Sequence, residues 1–214
     1  MIKYSLFLCI CLVTLLSCES TTSSNYNNPN NGDLNNSFKE TDSQKLAEMK
    51  EKQIKDSLLQ AGWIEAEMGN GSMPSCYNFK PKQNKSIDNY LEIHVGGGTD
   101  VVVKLINIDT EKAIRYVFIN SSSTYKIEHI PQGRYYLKIA YGKNWISKIE
   151  NNQCVGRFIR NALYEKGEDV LDYNFIKTPE GHQVPSFQLS LDVVSSNMSN
   201  SFESQNISEN EFNQ

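Results

Sequence analysis

The chain has 214 residues, of which 39% are hydrophobic and 21% are charged. This length leaves room for one modest domain with additional segments. With 21 Lys and Arg against 25 Asp and Glu, the net charge is −4. The chain therefore lacks the diffuse positive field that holds a phosphate backbone, and nucleic-acid partners are not expected.

The first seventeen residues have the pattern of an export signal. Lys3 supplies a positive start, an apolar run extends from Tyr4 to Leu16, and the small residue Ser17 precedes Cys18. As a helix this run would rise about 20 Å, short of the ~30 Å hydrocarbon core that a permanent span crosses. The pattern predicts a cleaved signal peptide at 1–17. The cysteine after it is either part of the signal's processing or an unmodified neighbour of an ordinary secretory signal.

The junction Leu15-Leu16-Ser17-Cys18 resembles the lipobox of bacterial lipoproteins. The resemblance implies cleavage between Ser17 and Cys18 and a diacylglyceryl group on the Cys18 sulfur. The membrane is then a partner reached through a lipid anchor, since two or more acyl chains give stable attachment. Glu19, rather than an aspartate, follows the cysteine. By resemblance this favours the outer membrane of the cell envelope over the inner one.

Three segments of different composition follow the signal. Residues 18–41 are rich in Ser, Thr and Asn and contain too little apolar surface to offset the entropy of ordering, which predicts a disordered stalk. Residues 42–62 place apolar side chains at helical spacing and end at Gly62, which predicts one short helix that either extends the stalk or docks on a partner. Residues 63–86, interrupted by glycines and Pro74, are typical of a connector.

The cysteines reduce to one pair once the signal is removed. Cys9 and Cys11 lie within the signal and Cys18 is assigned to lipid, so Cys76 and Cys154 remain. In an exported protein these two can form a disulfide that closes a long loop, which the chain-entropy description values at about 4 kcal/mol. The alternative is two unpaired small hydrophobic side chains, and the sequence leaves both open.

Residues 87–194 alternate apolar and polar side chains with a period of two, which is typical of strands. Short turn-like segments such as Gly96–Gly98 and Pro131–Gly133 separate these runs. Short connections favour antiparallel neighbours, because parallel strands need crossover helices between them. We therefore predict a mainly β protein, an antiparallel Ig-like β-sandwich preceded by the signal, the stalk and one short helix.

The last segment, residues 195–214, contains Ser, Asn and Glu but no Lys or Arg. This composition predicts a flexible acidic tail. The alternative is that the spaced apolar residues Phe202, Ile207 and Phe212 dock on the sandwich or on a partner.

The segment from Ile130 to Leu137, with Pro131, Gly133, Tyr135 and Leu137 in order, resembles the strand entry of carboxypeptidase regulatory-like and collagen-adhesin B-type modules. These are prealbumin-like sandwiches, and the resemblance covers residues 88–142. Gly133 permits the turn before the strand. From 151 to 178 the chain departs from the family pattern with a longer excursion. The wider likeness is to envelope lipoproteins that carry this sandwich, and it implies no activity.

Patterns that would support catalysis or metal binding are weak. His94, His129 and His182 lack ligand-like spacing to a second His or Cys. Ser123 and Lys126 match the Ser-x-x-Lys pattern of penicillin-interacting enzymes, but they lie at a strand-like segment that would turn the two side chains to opposite faces. The acidic residues around Gly167 do not follow the spacing of a known calcium loop; they are Glu165, Glu168, Asp169 and Asp172. We expect no cofactor and no metal.

One strand offers a candidate binding surface. Arg134, Tyr136 and Lys138 share the outward register of their strand, and Trp145 lies nearby in sequence. Aromatic side chains beside polar groups suit a protein partner or a glycan of the envelope. We therefore expect a noncatalytic module for protein binding, adhesion or assembly. The alternatives are a carbohydrate-binding accessory module and an envelope hydrolase with dispersed catalytic residues.

Overall fold

The computed structural model describes residues 42–77, 79–194, 197–200 and 202–214. The signal predicted at 1–17, the lipidation site Cys18 and the stalk at 18–41 lie outside the described residues. The described elements are α1 (Asp42–Gln60), β1 (Ile64–Glu65), β2 (Tyr90–Val95), β3 (Asp100–Asn107), β4 (Lys112–Ile119), β5 (Thr124–Glu128), β6 (Arg134–Glu150), β7 (Gln153–Gly167), β8 (Leu171–Asp172), β9 (Ile176–Thr178), β10 (Gly181–Gln183), β11 (Phe187–Val194), β12 (Asn197–Asn200), β13 (Ser204–Asn206) and α2 (Glu209–Asn213).

The helix α1 ends where the sequence places a stop signal. Gly62 has a φ of 85°, a left-handed conformation that glycine adopts without steric cost. Its amide donates to Leu59 O at 3.1 Å, and the Trp63 amide donates to Leu58 O at 3.1 Å. These two bonds satisfy carbonyls of the last turn in a Schellman motif. Neither described helix combines the length and hydropathy that a membrane span needs.

The strands form two facing sheets, which confirms the predicted mainly β, sandwich-like fold. The large sheet has the order β13-β7-β6-β3-β4, with β1 and β8 also paired to β6, and the small sheet has the order β12-β11-β2-β5. Strands β9 and β10 form a separate two-stranded sheet. Pairing is antiparallel except between β11 and β2, which run parallel.

A long hairpin dominates the large sheet. Strands β6 and β7 span 17 and 15 residues and meet at Asn151 and Asn152, whose φ angles are 49° and 60°. Positive φ at both central residues is the signature of a type I′ turn, for which asparagine is well suited. Much of the excursion expected after residue 151 is therefore a regular strand.

The large sheet is buried on both faces. Its inner face packs on the small sheet around side chains such as Leu91, Ile139 and Leu191. Its outer face carries a second cluster, which includes Phe118, Trp145, Phe158 and Phe212. Partly buried side chains of the connector pack against that second cluster; they are Met68, Met73, Tyr77 and Phe79.

The C-terminal segment, residues 207–214, docks on this outer face, while β12 pairs with the small sheet and β13 with the large one. In the described residues, this order replaces the flexible tail expected at 195–214. Strand β13 pairs with the end of β7, and Ser208 caps α2 in a reciprocal capping box with Glu211. Phe212 is 0% exposed. Docking was the alternative that the spaced apolar residues left open, and burial of one large aromatic side chain is the reason that it prevails.

Replacement of Phe212 by alanine should therefore destabilise the whole domain. We expect Phe212→Ala to lower the free energy of unfolding by about 3–5 kcal/mol, because it leaves a cavity in a packed cluster. Urea unfolding followed by circular dichroism measures this change. Phe175→Ala is the matched control, since Phe175 is 36% exposed, and should cost less than about 1 kcal/mol. Equal effects of the two substitutions would contradict a docked C-terminal segment.

Candidate functional site

Three of the four side chains predicted as a binding surface share the outer face of β6. Arg134 is exposed and its Nη2 lies 2.9 Å from Asp109 Oδ1. Tyr136 and Lys138 are half-buried, and Lys166 Nζ lies 4.8 Å from the centre of the Tyr136 ring. Burial raises the pKa of Tyr136 and lowers the pKa of Lys138. Arg134, Tyr136 and Lys138 thus form a row on one face of β6, as predicted, but Tyr136 and Lys138 are partly covered and less accessible to a partner.

Trp145 is not part of this open surface. Its side chain is 4% exposed, and its ring centre lies 4.8 Å from that of Phe158 and 6.4 Å from that of Phe212. A β-bulge between Tyr141 and Lys143 shifts the alternation of β6, which places Trp145 with Ala140 in the outer cluster. The prediction of an exposed Trp145 is wrong, because the C-terminal segment covers that cluster.

Two lysines hold the C-terminal segment on the sheet. Lys104 Nζ donates to Phe212 O at 2.6 Å, and Lys138 Nζ donates to Glu211 O at 2.5 Å. Both carbonyls lie in α2, near its negative C-terminal end. Lys104 and Lys138 face each other across β3 and β6. The binding row predicted on β6 therefore serves, in part, as the chain's own docking site.

Lys104 is a buried cation in an aromatic surrounding. The residue is 4% exposed, and its Nζ lies 4.5 Å from the ring centre of Phe212, 5.3 Å from that of Tyr116 and 5.6 Å from that of Tyr77. Burial, with a smaller contribution from Lys138, lowers the pKa of Lys104 to about 7. The aromatic faces and the Phe212 carbonyl favour the charged form, but loss of water outweighs them.

The two remaining cysteines are joined. Cys76 and Cys154 form a disulfide with their Cα atoms 5.3 Å apart and a sequence separation of 78. It ties the connector to the start of β7. Loop closure of this length is worth about 4 kcal/mol in the chain-entropy description.

The outer face of the small sheet carries a polar network that the sequence did not reveal as a site. His94 Nδ1 lies 2.7 Å from Thr124 Oγ1. On its other side, His94 Nε2 lies 2.6 Å from Gln188 Nε2 and 3.2 Å from Glu92 Oε1. These residues come from β2, β5 and β11, which are adjacent in the sheet. We call this set, with Lys126, the small-sheet face.

Lys126 completes the small-sheet face. Its Nζ lies 3.1 Å from Glu92 Oε2 and 4.1 Å from the centre of the Tyr90 ring. The hydrogen bond between Glu92 and Lys126 lowers the pKa of Glu92 and raises the pKa of Lys126. The face thus presents both signs of charge in an arrangement fixed by neighbouring strands, which suits electrostatic complementarity with a protein surface.

The sequence contained part of the signal for this face. Glu92 and His94 alternate on one strand, and Thr124, Lys126 and Glu128 alternate on another. Period two therefore places each set on one side of its own strand. Only the register, in which Glu92 faces Lys126 and His94 faces Thr124, brings the two sets together. That register depends on long-range packing and not on local pattern.

The other chemistry-bearing residues are distributed over the fold. His129 Nδ1 lies 2.9 Å from Ile87 O, and the His182 ring lies 6.1 Å from that of Phe175. Ser123 Oγ contacts Ser121 O at 3.5 Å, whereas Lys126 contacts Glu92. Throughout the described ranges, no group of three or more His, Cys, Asp or Glu residues is placed to hold a metal ion.

The four acidic residues around Gly167 also have separate roles. Glu165 is 3% exposed and accepts a hydrogen bond from Tyr141 Oη at 2.8 Å. Asp169 accepts from the Glu203 amide at 3.1 Å, and Asp172 accepts from the Asn174 amide at 2.9 Å. The Glu168 amide donates to Glu203 O. The contacts of Glu168 and Asp169 join the connection between β7 and β8 to the approach to β13. The contact of Asp172 shapes the turn after β8, and the contact of Glu165 joins β7 to β6.

A cavity of about 260 Å³ opens between the two sheets near the same connection. Its walls are mainly apolar and include Leu137, Leu171, Phe187, Leu189 and Phe202. Such walls suit an aliphatic or aromatic group and offer few partners for the hydroxyls of a sugar.

Comparison with known proteins adds no further guide to this geometry. The chain has no significant match among protein-family models, curated proteins or solved structures.

The buried Lys104 should make stability depend on pH in a defined direction. In the unfolded chain the Lys104 amine keeps its proton up to its ordinary pKa of 10.5, whereas in the fold it releases the proton near 7. The unfolded chain thus binds more protons between these values, so this group adds stability as the pH rises from 7 towards 10. Below pH 7 its contribution is constant, because the amine is protonated in both states.

The measurement is the free energy of unfolding of the unmodified chain minus that of Lys104→Met, from pH 6 to 10. We expect this difference to rise above pH 7 by at most about 1.4 kcal/mol per pH unit. Lys112→Met, which removes the amine of an exposed lysine instead, is the matched control. A flat or falling difference for Lys104→Met would show that the amine is not desolvated.

Proposed function

We propose that this chain is a lipid-anchored protein of the bacterial cell envelope, attached through Cys18, whose β-sandwich binds another envelope protein without catalysis. The observation that carries the location is the disulfide between Cys76 and Cys154. Disulfides persist in oxidising compartments and are rare in the cytosol. The export pattern at 1–17 leads to such a compartment, so two independent parts of the chain support the same location. We propose the outer membrane rather than the inner one, because Glu19, and not an aspartate, follows Cys18.

The small-sheet face supports the binding part of this proposal. Glu92, His94 and Lys126 hold one another through contacts of 3.2 Å and 3.1 Å, so the charges of Glu92 and Lys126 and the His94 ring are positioned before a partner arrives. Preorganised polar groups lose little side-chain entropy on association. By contrast, the outer face of the large sheet is occupied by the connector and α2, which leaves the small-sheet face as the more accessible of the two.

The two alternative functions find less support. A glycan-binding platform built on Trp145 is not favoured, because that indole is 4% exposed. A hydrolase built on Ser123 and Lys126 is not favoured either, because the Lys126 amine is engaged by Glu92 and the Tyr90 ring. We therefore retain the protein-binding module as the single proposal.

The anchor is tested by replacing the cysteine that carries it. We expect Cys18→Ala to abolish incorporation of labelled palmitate and to move the protein from the membrane pellet to the soluble fraction, since no acyl chain then holds it. Cys11→Ala, inside the predicted signal, is the matched control and should keep both the label and the pellet. Unchanged membrane partition of Cys18→Ala would remove the anchor from the proposal.

The binding face is tested by photo-crosslinking on intact cells. A photoreactive residue at the exposed Gln188, on the small-sheet face, should give a discrete adduct with another envelope protein. The same residue at the exposed Lys112, on the large sheet, should not. Glu92→Lys should reduce the Gln188 adduct several-fold, because it reverses the charge at the centre of the face. Identical adducts at both positions, or no adduct at Gln188, would contradict this assignment.

A further inference from the structure

A second cavity lies on the side of the sandwich where each sheet has an edge strand. Strands β4 and β5 end the large and the small sheet. The connector runs along this side, where the Gly71 amide donates to Phe118 O at 2.8 Å and the Lys82 amide donates to Ile114 O at 3.2 Å. Between the connector and the two strands is a cavity of about 210 Å³. The lining residues used below are Met73, Gln83, Arg115, Val117, Lys126 and Ile127.

Arg115 lines this cavity from β4 and extends towards the small sheet. It lies opposite Leu105 of β3, which belongs to the core between the sheets, and directly opposite residues share one side of a sheet. Its Nη1 donates to Ile114 O at 3.0 Å. Its Nη2 lies 3.4 Å from both Glu128 O and His129 O. The two contacts of Nη2 are longer than the usual range of about 2.7–3.2 Å, so they are weak.

The charge of Arg115 has no ionic partner in the described part of the chain. The residue is 4% exposed, and none of the ion pairs between described residues includes it. Loss of water lowers the pKa of the Arg115 guanidinium, which the phenols of Tyr135 and Tyr125 offset only in part. The guanidinium nevertheless stays protonated at neutral pH. Carbonyl dipoles leave its full positive charge in place, and a buried charge without a counter-charge is costly. The cavity wall therefore favours an anion.

A main-chain donor lies on the same side of β5. The Val95 amide donates to Ser123 O at 2.8 Å, and in an antiparallel ladder such bonded residues alternate with residues that turn their main-chain groups the other way. The Lys126 amide and Glu128 O therefore point away from β2, and Glu128 O is an oxygen that Arg115 approaches. Among the described residues, no group accepts a hydrogen bond from the Lys126 amide. This amide is a second donor for an anion in the cavity.

The chemistry of the walls suits a small carboxylate. A guanidinium matches the two oxygens of a carboxylate with parallel hydrogen bonds. Met73, Val117 and Ile127 offer apolar surface for a hydrocarbon part. The volume is below the range of about 300–1,000 Å³ that holds drug-sized ligands, so the ligand is small. Glu128 also lines the cavity, and its negative charge favours a singly charged carboxylate over a doubly charged phosphate.

We propose that the cavity between β4, β5 and the connector binds a small organic carboxylate. The carboxylate accepts hydrogen bonds from the Arg115 guanidinium and the Lys126 amide, and its hydrocarbon part packs on the apolar wall. The connector then closes a ligand site in addition to covering the outer cluster. This site is separate from the lipid anchor and from the side chains of the small-sheet face, so it stands or fails independently of the proposed function.

The test is the binding of benzoate to the full-length processed chain in mild detergent, measured by isothermal titration calorimetry and ligand-observed NMR. We expect saturable binding of benzoate. Benzamide has nearly the same shape without the charge and should bind about tenfold more weakly or worse, because its hydrogen bonds to the guanidinium are not charge-assisted on both sides. Phenylphosphonate should bind no more tightly than benzoate.

Gln83 offers a pair of variants that change the charge of the cavity without disturbing packed side chains, since Gln83 is exposed and lines the cavity. Gln83→Glu should weaken benzoate binding several-fold and Gln83→Lys should strengthen it several-fold, with little change for benzamide. Gln205→Glu is the matched control, because Gln205 is exposed on β13, at the other end of the large sheet, and should leave benzoate binding unchanged.

Arg115→Met removes the charge and keeps much of the side-chain volume, and should reduce benzoate binding by about tenfold or more. Arg115→Lys keeps the charge without the planar fork and should bind benzoate with an affinity between the two. Circular dichroism shows whether each variant is folded, and the Gln83 pair decides if Arg115→Met is not. Absence of saturable benzoate binding, equal binding of benzamide, or no response to either Gln83 variant would overturn the proposal. Tighter binding of phenylphosphonate than of benzoate would overturn the choice of a carboxylate.

Discussion

The large sheet carries an apolar cluster on each of its two faces, and this constraint orders much of the domain. Its interior strand β3, between β6 and β4, buries six consecutive residues, from Val101 to Ile106, although strands of a two-layer sandwich usually alternate between core and solvent. One face is covered by the small sheet. The other requires a second cover, which the connector and the C-terminal segment supply. Burial of apolar area at about 25 cal/mol per Å² is the driving term for both.

The same constraint explains the placement of the buried lysine. Lys104 lies in the middle of β3, on the face that the C-terminal segment covers, so its ammonium enters an apolar layer. Its partners are the Phe212 carbonyl and three aromatic rings. The Phe212 and Glu211 carbonyls of α2 accept hydrogen bonds from Lys104 and Lys138. In exchange, the Lys104 ammonium loses its hydration. The disulfide between Cys76 and Cys154 holds the connector on the same side. The outer face of the large sheet is thus a core in its own right.

The accessible polar surface lies on the other layer as a result. The row of Arg134, Tyr136 and Lys138 has the spacing of an exposed binding strip, yet α2 and Lys166 occupy part of it. The small-sheet face has no such cover in the described residues and keeps its polar groups ordered through His94 and Glu92. Binding is therefore assigned to the small sheet.

The sequence by itself determined the class of fold, the helix that Gly62 ends, and which side chains share a face of each strand. These features follow from local periodicity and from turn residues, which act within a few positions along the chain. Only the tertiary structure decided that Trp145 is buried, that Phe212 covers it, and that Glu92 and His94 meet Lys126 and Thr124. A period of two fixes the two sides of a strand but not its neighbour, its register or its cover. The neighbour, the register and the cover of a strand are set by how the whole chain buries its apolar surface. This burial also covers part of the outer face of the large sheet, which the spacing of Arg134, Tyr136 and Lys138 predicted to be exposed to solvent.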